Sequence, residues 1–201
     1  MVSRLVVNSW FGLRLNSPND VTFSTKIAGR KYMCFTDPPF AYLQGFGSLP
    51  QMGSYVYRFD LTTEELRPVI TDLMAPNGIA LDQDEMTLYV TDTETNTLGK
   101  NTYVVYAYDL NNDGLPVNRR VFSVSSLGGP DGIKVDKAGR VWIGEADGIN
   151  VRDKHGTLLG VILGRNLCQS GVISNFALAG STVIILAQEQ LWRLDLTMSV
   201  L

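Results

Sequence analysis

The stretch Ala75–Thr93 reads APNGIALDQDEMTLYVTDT and has the plan of a β-hairpin that opens with a tight corner. A Pro-Asn-Gly corner leads into a short apolar segment, and a polar turn separates it from TLYVT, which ends at Asp92. Pro, Asn and Gly favour tight turns, and short runs of β-branched and aromatic residues favour strands. The stretch therefore predicts two antiparallel strands, Ile79–Leu81 and Thr87–Thr91.

The same plan occurs three more times in the chain. Ser17–Pro38 (SPNDVTFSTKIAGRKYMCFTDP) and Gly129–Asp147 (GPDGIKVDKAGRVWIGEAD) repeat it closely, and Ile173–Ala187 (ISNFALAGSTVIILA) is a weaker copy. One polar residue marks the corner of each copy: Asn19, Asn77, Asp131 and Asn175. These corner residues are 58, 54 and 44 positions apart, and self-similarity at such a period indicates a repeat architecture.

Each of the four units predicts three or four strands in the same order. The expected strands are Val21–Ser24, Tyr32–Thr36, Tyr55–Phe59 and Pro68–Thr71 in the first unit; Ile79–Leu81, Thr87–Thr91, Tyr103–Tyr108 and Arg120–Val124 in the second; Ile133–Val135, Val141–Gly144, Gly148–Arg152 and Leu158–Leu163 in the third; Phe176–Leu178, Val183–Leu186 and Leu191–Leu194 in the fourth. We expect one more strand at Ser3–Asn8 and a loop at Pro38–Gly53, which is rich in Pro, Gly and aromatic residues.

Four-stranded antiparallel units that recur about every 50 residues are typical of β-propeller blades. The fold class expected is therefore all-β, with about four blades and no convincing helical period. A solenoid is the lower-ranked alternative, because it would need shorter repeats that pair in parallel.

Composition and charge narrow the function classes. The 201 residues suffice for a single domain over 1–201, and 45% apolar against 18% charged residues is a globular composition. A net charge of −3 provides no electrostatic basis for binding nucleic acid or a membrane surface. The first residues lack the apolar core of a signal peptide, so a cytoplasmic location is the default expectation.

The corners are the candidate functional residues. In a propeller the first strand of each blade lines the central channel, so Asn19, Asn77 and Asp131 are expected around one channel mouth. Their side chains offer oxygen ligands at short reach, which suit a hard cation such as Ca²⁺. The alternative is that these residues only form good turns, and the residues by themselves favour that interpretation.

Other polar and aromatic residues have simpler expected roles. Three acidic residues end the second strand of their units and are expected to close turns, with a place beside the site as the alternative: Asp37, Asp92 and Glu145. His155 is the one histidine and is expected to be a solvated turn residue, so a His dyad, a Ser-His-Asp triad or a His-rich metal site is not expected. Trp142 and Trp192 are expected to pack between blades rather than to bind a ligand.

Four segments resemble the SMP-30/gluconolactonase/LRE-like family, particularly its fungal lactonohydrolase-like members. They are LNSPNDV, FTDPPF, PNGIALDQDEMTLYVTDT and PDGIKVDKAGRVWIGEADG, and the resemblance extends over nearly the whole chain. The resemblance implies a six-bladed, TolB-like propeller of the calcium-dependent phosphotriesterase superfamily, present here in an N-terminally shortened form. It also implies a divalent metal, usually Ca²⁺, at the channel mouth, and hydrolysis of lactones or, in some members, phosphotriesters.

The resemblance assigns roles residue by residue. Asn77 and Asp131 match metal ligands of the family, and Asn19 matches an Asn that binds the metal or contacts substrate or water. The family's Glu ligand has no match in this chain, and Ser17 occupies a position where some members carry a substrate-binding Arg. Three further residues are candidates for contact with the substrate or with the ligands: Asn175, Asp37 and Asp92.

The leading functional prediction is a Ca²⁺-dependent lactonase, an ester hydrolase that acts on a small lactone or ester without an organic cofactor. Asp131 is the one carboxylate among the three ligands, so it is the expected general base, or the nucleophile in a phosphotriesterase. The alternatives are a binding or scaffold propeller without catalysis and, ranked lower, a strictosidine-synthase-like propeller. Four blades shaped for a sixfold ring are expected to form an open arc that self-associates through exposed blade faces.

Overall fold

We analysed a computed structural model, which describes residues 3–26, 29–94 and 102–201. The chain starts with a short hairpin, β1 (Ser9–Trp10) and β2 (Leu13–Arg14). Four antiparallel sheets follow, one for each sequence repeat, and each is a blade of a propeller arrangement. The all-β fold and the four blades predicted from the repeats are confirmed.

The strands of each blade follow one another in sequence order. Blade 1 contains β3 (Val21–Ser24), β4 (Tyr32–Asp37), β5 (Tyr55–Asp60) and β6 (Leu66–Ile70); blade 2 contains β7 (Pro76–Leu81), β8 (Thr87–Glu94), β9 (Thr102–Leu110) and β10 (Pro116–Val124); blade 3 contains β11 (Ile133–Val135), β12 (Val141–Glu145), β13 (Gly148–Arg152) and β14 (Leu158–Leu163); blade 4 contains β15 (Asn175–Ala179), β16 (Thr182–Ala187) and β17 (Gln190–Asp195). All paired neighbours are antiparallel, as short hairpin connections require.

The apolar core lies between successive blades rather than within one blade. Val56 of blade 1 and Ile79 of blade 2 share one cluster, and Val105 of blade 2 shares the next cluster with the following blade. Blades 3 and 4 share a third cluster, in which Trp142 is buried and donates from its indole nitrogen to Asp136 at 2.9 Å. Each blade therefore stabilises its neighbour by removing apolar side chains from water.

The N-terminal segment differs from the predicted strand. Residues 3–8 form no strand, and the hairpin β1–β2 turns at Phe11 and Gly12, which both have left-handed φ angles of 48° and 77°. Val7 and Trp10 pack on the cluster around Tyr57, on the face of blade 1 that points away from blade 2. Of the apolar residues that suggested a strand, Val7 covers this blade face, whereas Leu5 and Val6 are 70% and 57% exposed.

Helical structure is confined to two short segments of the described chain. A helix, α1 (Phe40–Leu43), lies within the predicted loop Pro38–Gly53, and Gly164–Asn166 forms one 3-10 turn. No helix among the residues described is long and apolar enough to cross a membrane.

Blade 4 has one buried face and one exposed face. Val183 and Ile185 of β16 are completely buried against blade 3, and alternate residues point the other way. On that opposite face Leu186 pairs with Leu191, and their exposed fractions are 49% and 69%. Trp192 is 38% exposed, so the expected packing between blades applies to Trp142 and only partly to Trp192.

Candidate functional site

The corner of each blade is tied to the corner of the next. Thr36, near the end of β4, donates its hydroxyl to the Asn77 carbonyl at 2.6 Å. Thr91 occupies the same position in β8 and donates to the Asp131 carbonyl at 2.9 Å. The structure therefore brings the Asn77 and Asp131 corners together, although 54 residues separate them in sequence.

The glycines of the corners allow this close approach. A Cβ atom on Gly78 would lie 2.2 Å from the Asp131 carbonyl oxygen, and a Cβ on Gly132 would lie 2.4 Å from Oδ1 of Asn175. Real Cβ atoms do not approach other atoms so closely, so only Gly fits at either position. The Gly of Pro-Asn-Gly and of Pro-Asp-Gly is thus required by the neighbouring blade. Pro76–Gly78 itself is the extended start of β7 and not the tight turn that the sequence predicted.

Asp131 has an unusual electrostatic environment. Burial of its carboxylate and the nearby charge of Asp20 raise its pKa to about 7, while the Asn77 amide and the Lys134 ammonium act to lower it. A carboxylate with a pKa near neutrality can take up and release protons under physiological conditions. Asp131 is therefore suited to proton transfer as well as to binding a cation.

Asn77 supplies an oxygen that the protein leaves unpaired. Its side chain is 4% exposed, and Oδ1 has no hydrogen-bond partner within the described part of the chain. Buried polar atoms are normally paired, because an unpaired one costs about 1–3 kcal/mol. A cation ligated by this oxygen would remove that cost, so the residues present fit a hard divalent metal.

Asn19 completes the predicted trio from a more exposed position. Its backbone N–H donates to the Thr36 carbonyl at 2.9 Å, which places its corner beside the end of β4, next to the Asn77 corner. Its side chain is exposed and forms no hydrogen bond among the residues described. No cluster of three or more His, Cys, Asp or Glu side chains that could hold a metal is present in residues 3–26, 29–94 and 102–201.

Two charged residues at the channel were missed by the sequence reasoning. Asp20 accepts from the backbone N–H of Ile79 at 3.2 Å, and its Oδ2 lies 3.6 Å from Nζ of Lys134. Lys134 also donates to Oδ1 of Asn175 at 3.3 Å. This network joins the first strands of blades 1, 3 and 4 across a cavity of about 330 Å³ that residues from the first strands of all four blades line. In the sequence, the acidic residue that follows Pro-Asn in SPND was the one feature that could have indicated this network.

Asp37 and Asp92 position the corners instead of lining the channel. Asp37 accepts from the backbone N–H groups of Asn16 and Ser17 at 2.9 and 2.8 Å. Asp92 accepts in the same way from Met74 and Ala75 at 3.2 and 2.7 Å. In both blades these N–H groups belong to the two residues that precede the corner proline. Burial raises the pKa of both carboxyls, although these hydrogen bonds oppose it.

Glu145 and His155 form no hydrogen bond or ion pair with the corner residues in the described part of the chain. Glu145 is buried at the end of β12, with Oε1 3.6 Å from the guanidinium of Arg152, and burial raises its pKa. His155 lies in an exposed turn, where its backbone N–H donates to the Asp153 carboxylate at 2.9 Å. Nothing in the described contacts joins His155 to the corner residues, in agreement with the expected turn.

The geometry defines a propeller in which the Asn and Asp corners of successive blades meet. The family model of the SMP-30/gluconolactonase/LRE-like region matches residues 6–186, and the chain belongs to that family. It is 32% identical over 169 residues to a gluconolactonase of Zymomonas mobilis, with 80% of this chain and 45% of the relative covered. It is 34% identical over 128 residues to the lactonohydrolase oryH of Aspergillus oryzae, with 55% and 27% covered.

Solved structures agree with the family assignment. A gluconolactonase from Xanthomonas campestris superimposes with a TM-score of 0.82 and 32% identity, over 96% of this chain and 61% of that one. A calcium-binding regucalcin from Agrobacterium tumefaciens superimposes with a TM-score of 0.64 at 19% identity, over 91% and 61%, and shows the fold alone. The chain thus spans about half to three fifths of the length of the fuller relatives it matches.

Proposed function

We propose that this chain hydrolyses a small lactone at the channel mouth, with a divalent cation, Ca²⁺ in the first instance, held by Asn19, Asn77 and Asp131. One observation carries the proposal. The buried side-chain oxygen of Asn77 has no hydrogen-bond partner among the described residues, and it lies beside the Asp131 carboxyl, whose pKa is raised to about 7. The gluconolactonase and lactonohydrolase relatives support the reaction class. The choice of ion follows from the resemblance to the SMP-30/gluconolactonase family and from the oxygen ligands at the corners.

Asp131 is the proposed general base. Its carboxylate would accept a proton from the attacking water and later return it, as general-base catalysis requires. The water oxygen bonds to the acyl carbon, the ring C–O bond breaks, and the proton passes to the leaving alkoxide to give a hydroxy acid. A bound divalent cation supplies Lewis-acid polarisation of the carbonyl oxygen.

The two asparagines have a different role from Asp131. Their amide oxygens are neutral ligands, so they would bind a cation without reducing its charge. The Thr36 and Thr91 bonds fix the backbone of two of the three corners, which keeps the ligands in place before substrate arrives. We also propose that the full-length members of the family form a ring of six blades around this channel mouth.

A binding propeller without catalysis is the second candidate, and Ser17 favours it. Ser17 stands where the family resemblance places an Arg that binds substrate in some members. Its hydroxyl is committed to the backbone, donating to the Pro38 carbonyl at 2.6 Å and accepting from Ala41 at 3.2 Å. This position therefore contributes no group that reaches a ligand in the channel.

Calcium titration combined with a lactonase assay tests the proposal. Calorimetric titration of the wild-type protein is expected to show one Ca²⁺ site, and Asp131→Ala is expected to abolish both binding and hydrolysis of gluconolactone. His155→Ala is the control and is expected to change neither. Calcium binding without hydrolysis would favour the binding propeller, and equal calcium affinity of the two variants would refute the assignment of ligands.

The exposed face of blade 4 supports a further proposal about assembly. Leu186 and Leu191 are largely exposed on the side opposite blade 3, and Ile184 and Ala177 continue the same apolar surface. Exposed apolar patches of this kind favour association. We propose that the 201-residue chain self-associates through this face.

A further inference from the structure

Three arginines line one cavity on the face of blade 1 that packs against blade 2. The cavity has a volume of about 360 Å³ and is lined by six residues: Arg30, Tyr32, Arg58, Arg67, Asp113 and Leu115. Arg58 and Arg67 lie on β5 and β6, Tyr32 opens β4, and Asp113 and Leu115 belong to the turn between β9 and β10. Two blades therefore build this cavity together.

Two of the arginines lie opposite each other on neighbouring strands. Arg58 and Arg67 are cross-strand partners in the β5–β6 pair, so both side chains project from the same face of the sheet. Like charges placed directly opposite each other are destabilising. An anion between the two guanidinium groups would convert this repulsion into attraction.

Arg58 is held in position for such a contact. Its guanidinium lies 4.4 Å from the centre of the Tyr32 ring, and one nitrogen donates to the backbone carbonyl of Asp113 at 2.5 Å. A guanidinium stacked on an aromatic ring keeps its remaining N–H groups in a fixed plane, which suits two parallel bonds to phosphate oxygens.

The acidic groups nearby compensate only part of this positive charge. Asp60 lies 3.6 Å from Arg30, but it also accepts from the backbone of Thr62 and Thr63. Asp113 is the one carboxylate among the six lining residues. Arg67 forms no ion pair within residues 3–26, 29–94 and 102–201.

The cavity is separate from the corner residues. Strand β4 runs from Tyr32, which lines the cavity, to Asp37, which holds the segment before the Asn19 corner. Six residues of extended strand span about 17 Å. A ligand in the arginine cavity would thus lie at the other end of the blade from the channel mouth.

We infer that this cavity binds a phosphate monoester, with the phosphoryl group between Arg58 and Arg67 and the organic part in the remaining space toward Leu115. Arginine pairs recognise phosphate by bidentate bonds, and an anion would offset the positive charge that Asp60 and Asp113 leave uncompensated. The volume exceeds what a single phosphoryl group fills. This inference does not depend on the proposed lactonase activity.

Calorimetric titration at constant ionic strength tests the inference, with glycerol 3-phosphate and inorganic phosphate as probes. Arg67→Met is expected to weaken binding by about tenfold or more, because it removes one partner of a charge-assisted pair. The matched control is Arg165→Met, which removes the same charge from another exposed arginine, on the 3-10 turn. It is expected to bind as the wild type does.

Thermal melting provides a second readout that separates lost binding from lost folding. Without phosphate, Arg67→Met is expected to melt at the wild-type temperature or above it, since the repulsion with Arg58 is removed. Tighter binding of the ester than of inorganic phosphate would support the role given to the organic part. The inference is overturned if neither probe saturates in the millimolar range, or if Arg165→Met weakens binding as much as Arg67→Met.

Discussion

The Thr91 hydroxyl donates to the backbone carbonyl of Asp131 at 2.9 Å and accepts from the backbone N–H of Gly78 at 2.6 Å. One side chain in β8 thus connects the corner of its own blade with the corner of the next. Both corners carry a proposed metal ligand. The geometry of the candidate site therefore depends on a residue that touches neither metal nor substrate.

Replacement of this hydroxyl by a methyl group tests its role. Thr91→Val leaves the buried Gly78 N–H and the Asp131 carbonyl unpaired, which is expected to lower the free energy of unfolding by about 1–3 kcal/mol. Urea denaturation measures the loss. Thr87→Val on the same strand is the control, because no hydrogen bond to the Thr87 hydroxyl is described; an equal loss in the control would contradict the prediction.

A methyl group on Gly78 is expected to push two blades apart. The added Cβ would lie 2.2 Å from the Asp131 carbonyl oxygen, so Gly78→Ala should destabilise the protein by about 1–3 kcal/mol. Gly160→Ala is the matched control, since a Cβ there meets no atom within 4 Å. Thermal melting tests this prediction. It is wrong if Gly78→Ala and Gly160→Ala have the same melting temperature.

Glu85 is expected to make stability depend on pH in the acid range. Its carboxylate accepts from the Ser24 hydroxyl at 2.6 Å and from the backbone N–H of Lys26 at 2.8 Å. Burial acts to raise its pKa, but the hydrogen bonds from residues 24–26 outweigh burial and lower it. A lowered folded-state pKa contributes stability that is present above the unfolded pKa of about 4.3 and is lost as the pH falls through the folded value.

Glu85→Gln removes this titration. We expect the variant to be less stable at neutral pH by about 1–3 kcal/mol and to lose less stability than the wild type between neutral and acidic pH. Urea unfolding at a series of pH values measures both effects. Parallel stability profiles for the two proteins would show that Glu85 does not titrate as described.

The exposed face of blade 4 predicts how the chain behaves in solution. Leu191→Lys places a charge in the apolar surface shared with Leu186 and is expected to shift an associated species toward the monomer in light scattering. Leu159→Lys is the control, because Leu159 is a largely exposed residue of the outer strand β14 and lies outside this surface. A wild-type monomer with a sharp melting transition would contradict the proposal.

Much of the fold could be predicted from the sequence, because strands and corners are encoded locally. The alternation of YVYRFDL acts within a few residues, and β5 lies where this pattern places it. Strand β7 begins at Pro76 instead of the expected Ile79, because Pro-Asn-Gly is held extended against the next blade and does not form a tight turn. The segment at residues 3–8 was wrongly predicted as a strand for a related reason. Val7 packs on a blade face while Leu5 and Val6 are exposed, and a short apolar run does not distinguish such a segment from a strand.

The sequence by itself determined the blades, their order and the polar corners, since each depends on side-chain period and backbone preference over short distances. The tertiary structure decided which side chains meet. Thr91 reaches Asp131 across 40 residues, and Asp20 reaches Lys134 across the channel. The raised pKa of Asp131 likewise results from burial and from the charge of Asp20 on another blade. Burial and charge depend on distances between repeats, which local sequence patterns do not specify.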